Sequence, residues 1–496
     1  MSADLLQLEN FIAGQFTAPL GGRYLDSVDP STGSAWARLP DSGADDVDAA
    51  VNSALNAFPS WSAKSAVARS QILDAIANQI EQHLDELAEL ESRDQGKPVW
   101  LARAVDIPRA VHNFRFFASA NLHHLETATY QAEFSAQNWT IRTPVGVCGL
   151  ISPWNLPLYL LTFKLAPCLA AGNTAVCKPS ELTSVTAWRL CQLMTDAGLP
   201  AGVVNMVFGR GATAGEALVL HPNVPAVSFT GSTLIGSRIQ ALTAPMVKKL
   251  SLELGGKNAA LVFSDCDLPA AVETCVRSSF TNQGEICLCT SRIFVERSVY
   301  NEFLRQFLEE TAKWKVCDRR DPATKLGAVV SAEHRQKILS YIESAPASGG
   351  RILCGQTLTD AAKLPPELAS GFFVLPTVIV GAETDSDGGL SDEAPCMRDE
   401  IFGPVTCIVP FDDEAEAIKR ANSVKYGLCA TLFSRDASRI MRVSRQLQVG
   451  TVWSNCWLVR DLNMPFGGCK QSGIGREGAH DSLEFYTEVK TVCLRF

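Results

Sequence analysis

The chain has 496 residues, 46% of them hydrophobic and 20% charged, which excludes general disorder. That length has room for roughly two to four domains. Lys and Arg total 44 against 53 Asp and Glu, and a net charge of −9 argues against nucleic acid or an anionic membrane as the main partner. An anionic substrate would need a local basic pocket against that field.

Sixteen cysteines are scattered along the chain without a CxxC pair or a Cys/His cluster at zinc spacing, so no metal is expected. No signal peptide is evident at the N-terminus. The apolar stretch 156–171 holds Lys164 and two prolines and is too short to span a bilayer. The expectation is a reduced, soluble, cytoplasmic protein in which most thiols pack as small hydrophobes.

In chain order, residues 44–61 read as an alanine-rich helix. Residues 68–94 read as one long amphipathic helix, with Ile72, Ile76, Ile80, Leu84 and Leu87 on a stripe and Gly96 and Pro98 ending it. A third helix is expected over 106–123, with Pro108 near its first turn. The β-branched and aromatic content of 127–141 predicts an extended hairpin.

From Val145 short β-rich runs recur at 147–152, 174–178, 203–208, 226–230 and 249–253, with helical segments between them. That alternation predicts a doubly wound parallel sheet with crevices at the strand C-termini. Beyond Gly255 the pattern restarts with a strand at 258–263, a helix at 268–280 and strands at 291–295 and 405–410, so a second α/β domain is expected. The acidic, Gly-rich stretch 384–394 reads as a surface loop, and the tail 482–496 as strand-like.

Three segments could carry chemistry. Cys287 follows Asn282, Gln283 and Gly284 in a polar turn, where a thiolate could attack an electrophilic carbonyl. Strand alternation would point Cys289 to the same side. Glu253 ends the fifth strand beside Gly255 and Gly256, where a carboxylate could deprotonate water. Asn155, fixed between Pro153 and Pro157, could donate to an oxyanion. Read singly, each also has a plain reading: a packed thiol, a solvated strand end, an Asn that closes its own turn.

For a cofactor, Gly231-Ser232-Thr233 with Gly236 follows the fourth strand and opens a helix, which suits pyrophosphate. Lys178-Pro179-Ser180-Glu181 follows the second strand. Lys178 and Glu181 could grip adenosine ribose hydroxyls, and the acid would repel a 2′-phosphate, favouring NAD.

Taken together, SPWN, KPSE, FTGS, LELGG, NQGEIC, EIFGP and PFGG resemble the aldehyde dehydrogenase superfamily over essentially the whole chain. The resemblance implies Cys287 as nucleophile, Glu253 as general base, and Asn155 with the Cys287 backbone N–H as oxyanion donors. It places NAD along Ile151, Trp154, Lys178, Ser180, Glu181 and Gly211. Gly231, Ser232, Leu254, Glu400 and Phe402 complete that path. It implies a Rossmann-like NAD domain (1–122 and 145–255), an α/β catalytic domain (256–470) and a bridging β-arm (123–144 and 471–496) that makes a homotetramer or homodimer.

Two arginines bear on the substrate. Arg109 lies on the helix expected to wall the tunnel and Arg460 in the loop before PFGG, either as surface ion-pair partners or as a guanidinium clamp for a carboxylate. The words around them resemble a subgroup acting on a short, conjugated, anionic semialdehyde of the kynurenine route of tryptophan degradation. A broader dehydrogenase for apolar aldehydes such as retinal, and a non-catalytic scaffold, are the alternatives. The stretch 384–394 departs from the subgroup as a longer connection.

Overall fold

The computed structural model describes residues 5–355, 364–381 and 390–496. Residues 384–389 of the acidic stretch lie outside that set. Within the described part of that stretch, Asp392 pairs with Arg420 at 2.9 Å.

Two sheets organise the chain. The first has eight strands. Its five central strands are parallel, in the order Lys249–Glu253, Ala226–Thr230, Val147–Ile151, Thr174–Lys178, Val204–Met206. Strand order reverses at Val147–Ile151, so the connections diverge there and leave a crevice at the strand C-termini. The central strands are almost wholly buried, as continuous Val/Ile/Ala runs require when helices cover both faces. Asn10–Ile12 pairs antiparallel on one side of these five, with Gln15–Thr17 as the edge beyond it, and Gly473–Ile474 forms the other edge. Residues 473–474 therefore pair with Leu252 and Glu253, and the arm draws its strand from farther along the chain.

The second sheet has seven strands, of which Thr290–Glu296, Asn258–Val262 and Cys429–Phe433 lie side by side and parallel. A separate three-stranded sheet joins Thr487–Arg495 to Ala136–Pro144 over nine paired positions, with Ala128–Gln131 outside them. Its outer residues Tyr130, Val489, Leu494 and Phe496 are exposed.

Two helical expectations change in detail. The segment 68–94 is two helices, Ala66–Gln82 and Leu84–Gln95. At His83 the backbone leaves the helical region (φ −104°, ψ 21°), and its N–H and ring Nδ1 share the Gln79 carbonyl at 3.2 and 2.9 Å. The helix expected over 106–123 runs from Ile107 to Ala120 and is preceded by a wide π-helical turn, Ala102–Asp106. Such turns insert an extra residue and shift the register of the helix beyond them.

None of the sixteen cysteines is paired, and ten are buried. Among the described residues no helix is long and apolar enough to cross a membrane. Nor does any group of three His, Cys, Asp or Glu among them stand ready for a metal ion.

Candidate active site

Cys287 sits in a turn, not in a strand, so period-two alternation does not govern it. Asn282, Gln283 and Gly284 all have positive φ, at 54°, 57° and 70°. A Cβ at position 284 would lie 2.2 Å from the Gly403 carbonyl, so the glycine is required twice over. The backbone beyond is held by Asn258, whose amide donates to the carbonyls of Cys287 at 2.7 Å and Cys289 at 2.9 Å. The Cys289 thiol turns to the Thr281 carbonyl at 3.9 Å and is buried, correcting the expectation that both thiols face one way. Cys287 stays partly exposed and lines a cavity.

Asn155 does not close its own turn. Its amide donates to the backbone carbonyl of Glu285 at 2.8 Å, while Asn282 donates to the Asn155 carbonyl at 3.1 Å. The turn after the first sheet's central strand is thus tied to the turn carrying the thiol. Pro153 and Pro157 leave it with fewer backbone donors to satisfy.

Glu253 is 5% exposed, and its Oε1 has no hydrogen-bond partner among the described residues. Burial drives its carboxyl well above the usual range, and the neighbouring Glu477 adds to this. Lys164, Arg460 and Arg476 oppose the rise. Burial likewise pushes the Cys287 thiol up, assisted by Glu400 and Glu253 and opposed by Arg460. A buried carboxyl with an unpartnered oxygen, close enough to a partly exposed thiol to raise its pKa, is equipped for proton transfer.

Two adjoining cavities meet at Trp154, Gly231 and Ser232. The larger, about 700 Å³, is lined by Ile151, Lys178, Ser180, Glu181 and Gly211. The smaller, about 250 Å³, is lined by Asn155, Leu254, Cys287, Glu400 and Phe402. Lys178 and Glu181 pair at 2.9 Å, and the Gly211 N–H reaches Glu181 at 3.3 Å. Burial raises Glu181, but the Lys178 ammonium outweighs it and holds the carboxyl below its usual range. Ser232 caps the helix Thr233–Thr243 by accepting from the Ile235 N–H at 3.3 Å, and Gly231, Ser232 and Ile235 line the larger cavity. Gly256 N–H donates to Glu400 at 2.8 Å, and a Cβ at Gly255 would strike the same carboxylate.

The two arginines line neither cavity. Arg460 donates to the Tyr159 hydroxyl at 3.0 Å and lies over Phe466 and Phe163, 3.8 and 4.4 Å from their ring centroids. Its Nε is buried without a hydrogen-bond partner among the described residues. Arg109 is half-buried and makes no hydrogen bond or ion pair within the described residues. Four residues on, Asn113 donates to the Tyr159 carbonyl at 3.1 Å, which turns the Arg109 face of the helix toward the same tyrosine.

Sequence reasoning passed over several titratable groups around these elements. Glu285 is fully buried and accepts from Gln95 at 2.7 Å and from the Val330 N–H at 3.0 Å. His334 stands against Trp154 and Phe402 with its Nε2 2.7 Å from the Phe402 carbonyl. Lys97 is buried beneath Asn155. Glu285 alone lies in one of the motifs, NQGEIC; the others come from helices and loops with no pattern of their own.

A family model for aldehyde dehydrogenases matches residues 16–492. The chain belongs to the aldehyde dehydrogenase family. It is 57% identical to a 2-aminomuconic semialdehyde dehydrogenase of Homo sapiens and 56% identical to that of Mus musculus, with 99% of both chains covered in each case. It is 43% identical to a 2-hydroxymuconic semialdehyde dehydrogenase of Pseudomonas sp. (strain CF600), again over 99% of both. Among solved structures, the indole-3-acetaldehyde dehydrogenase of P. syringae in complex with NAD+ and IAA aligns at a TM-score of 0.94 and 35% identity, covering 100% of this chain and 98% of that one. An aldehyde dehydrogenase fold is what the two sheets and the arm form, and this family member is an oxidoreductase acting on aldehydes.

Proposed function

We propose that this aldehyde dehydrogenase oxidises 2-aminomuconate 6-semialdehyde to 2-aminomuconate with NAD, in the kynurenine route of tryptophan degradation. Arg460 carries the substrate reading. A guanidinium fixed by two aromatic faces and a tyrosine hydroxyl, and close enough to Cys287 and Glu253 to lower both their pKa values, offers a carboxylate a preformed seat. Arg109, unpaired on the neighbouring helix, is the second cation.

The two cavities suit a dinucleotide: a ribose-gripping Lys178–Glu181 pair, the helix N-terminus at Ser232 for pyrophosphate, and a smaller chamber beside the thiol. Glu181 is the reason to expect NAD over its 2′-phosphorylated form. Bound there, NAD supplies the hydride acceptor for the oxidation.

The chain's own residues do the rest. Cys287, as thiolate, adds to the aldehyde carbon, and the developing oxyanion is held by the Asn155 amide and the Cys287 N–H. Loss of hydride leaves a thioester on Cys287. Glu253 then takes a proton from water, which hydrolyses the thioester and frees the acid.

We assign the NAD domain to 1–122 and 145–255 with the added strand 473–474, the catalytic domain to 256–470, and the arm to 123–144 with the strand Thr487–Arg495. The exposed apolar face of the arm suits a second copy, giving a homodimer or homotetramer. Cytoplasmic residence fits the unpaired thiols. The direct experiment is steady-state NADH formation with 2-aminomuconate 6-semialdehyde or its 2-hydroxy analogue. Turnover of both, with uncharged aldehydes far poorer, is the expected result; equal turnover of uncharged aldehydes contradicts the assignment.

A further inference from the structure

Lys97 has no solvent exposure, and its ammonium forms an ion pair with Asp106, itself 1% exposed. The same ammonium donates to the backbone carbonyl of Asn155 at 3.1 Å. Asp106 closes the π-helical turn Ala102–Asp106, and the next residue begins the helix Ile107–Ala120 that carries Arg109. Glu91 grips the other end of the Asn155 turn by accepting from the Leu158 N–H at 3.1 Å. Its carboxyl is pushed up to about 7 by burial, against the pull of Lys97. An ion pair this deep carries a large desolvation cost, and apolar residues of similar volume generally fill such a place at least as well. Its contacts identify its use.

We infer that Lys97 and Asp106 are positioning residues that hold the oxyanion donor and the carboxylate-binding helix at a fixed separation. This rests on the roles proposed above for Asn155 and Arg109. One end of the pair fixes the carbonyl of the residue whose amide holds the oxyanion. The other fixes the turn that sets the rotational phase of Arg109. A substrate with an aldehyde at one end and a carboxylate at the other spans the two. A shift of about 1 Å at such a site costs about 100-fold in rate.

The test uses the full enzyme with adipate semialdehyde and hexanal, which differ only in the distal carboxylate. Lys97→Met with Asp106→Leu removes both charges and leaves neither stranded. The expected result is a melting temperature close to wild type and unchanged NAD affinity by fluorescence. With these, kcat on hexanal falls about 30-fold and the preference for adipate semialdehyde shrinks at least tenfold. A folded double variant that keeps both kcat and preference within about threefold overturns the inference. Should that variant not fold, Lys97→Arg decides: its bulkier head keeps the pair but displaces the Asn155 carbonyl. An unchanged kcat there is the contrary result. The hexanal measurement does not depend on the substrate reading. A wild-type enzyme indifferent to the carboxylate overturns that reading, and the hexanal kcat alone then decides the role of Lys97.

Discussion

The side-chain amide of Asn155 donates to the backbone carbonyl of Glu285 across 2.8 Å, fastening the turn of one sheet to the thiol-bearing turn of the other. An amide has two N–H groups, and this bond uses one of them. The second is the donor proposed for the oxyanion. Asn155→Ala is expected to lower kcat by about 100-fold or more. Steady-state kinetics beside titration of the Cys287 thiol checks this: the thiol stays reactive while turnover is lost.

The two neighbouring thiols separate cleanly. Cys287→Ala is expected to abolish dehydrogenase activity. Cys289→Ala, which removes a buried thiol facing the Thr281 carbonyl, is expected to keep kcat within about threefold and to cost about 1 kcal/mol of stability. Paired activity and thermal-melting measurements test both statements.

Burial shifts both Glu253 and Cys287 toward their protonated forms. Each must lose its proton to act, so kcat is expected to climb as pH rises from 7 to about 9. Glu253→Gln removes the base for hydrolysis. It is expected to keep a rapid burst of about one NADH per subunit, giving way to a steady state about 100-fold slower. Stopped-flow absorbance separates the two phases, and a missing burst would place Glu253 in the first step instead.

His334 is lowered from its ordinary 6.5 to about 4, chiefly by burial. The folded state therefore binds the proton less readily than the unfolded chain. Its contribution to stability is complete above about 6.5 and is lost as pH falls toward 4, by about 3 kcal/mol at most. His334→Gln is expected to flatten the fall in melting temperature between pH 6.5 and 4.5. Because the ring packs on Trp154 and Phe402, the same variant is expected to weaken NAD binding.

Much of this architecture was legible because strands buried on both faces read as Val/Ile/Ala runs at regular pitch. The chemistry-bearing residues were legible because they sit in the turns just after those strands. Lys97, Asp106 and Glu91 were not. Nothing in GKP or in a helical glutamate distinguishes a buried charge from a solvated one; the distinction arises only when helices from three parts of the chain close over them. The break at His83 was hidden for a related reason, since no glycine or proline marks it. The common side assigned to Cys287 and Cys289 failed because three successive left-handed residues turn that segment out of any strand.

The central claim is that a carboxylate-bearing semialdehyde is chosen by Arg109 and Arg460. The direct measurement is kcat/KM for 2-aminomuconate 6-semialdehyde, or its 2-hydroxy analogue, and for an uncharged aldehyde, in wild type, Arg109→Ala and Arg460→Ala. Each substitution is expected to lower kcat/KM for the anionic substrate by about 100-fold, as loss of a charge-assisted bond of about 3 kcal/mol implies, and to change the uncharged one by less than about fivefold. Equal losses on both substrates, or none on either, would contradict the account.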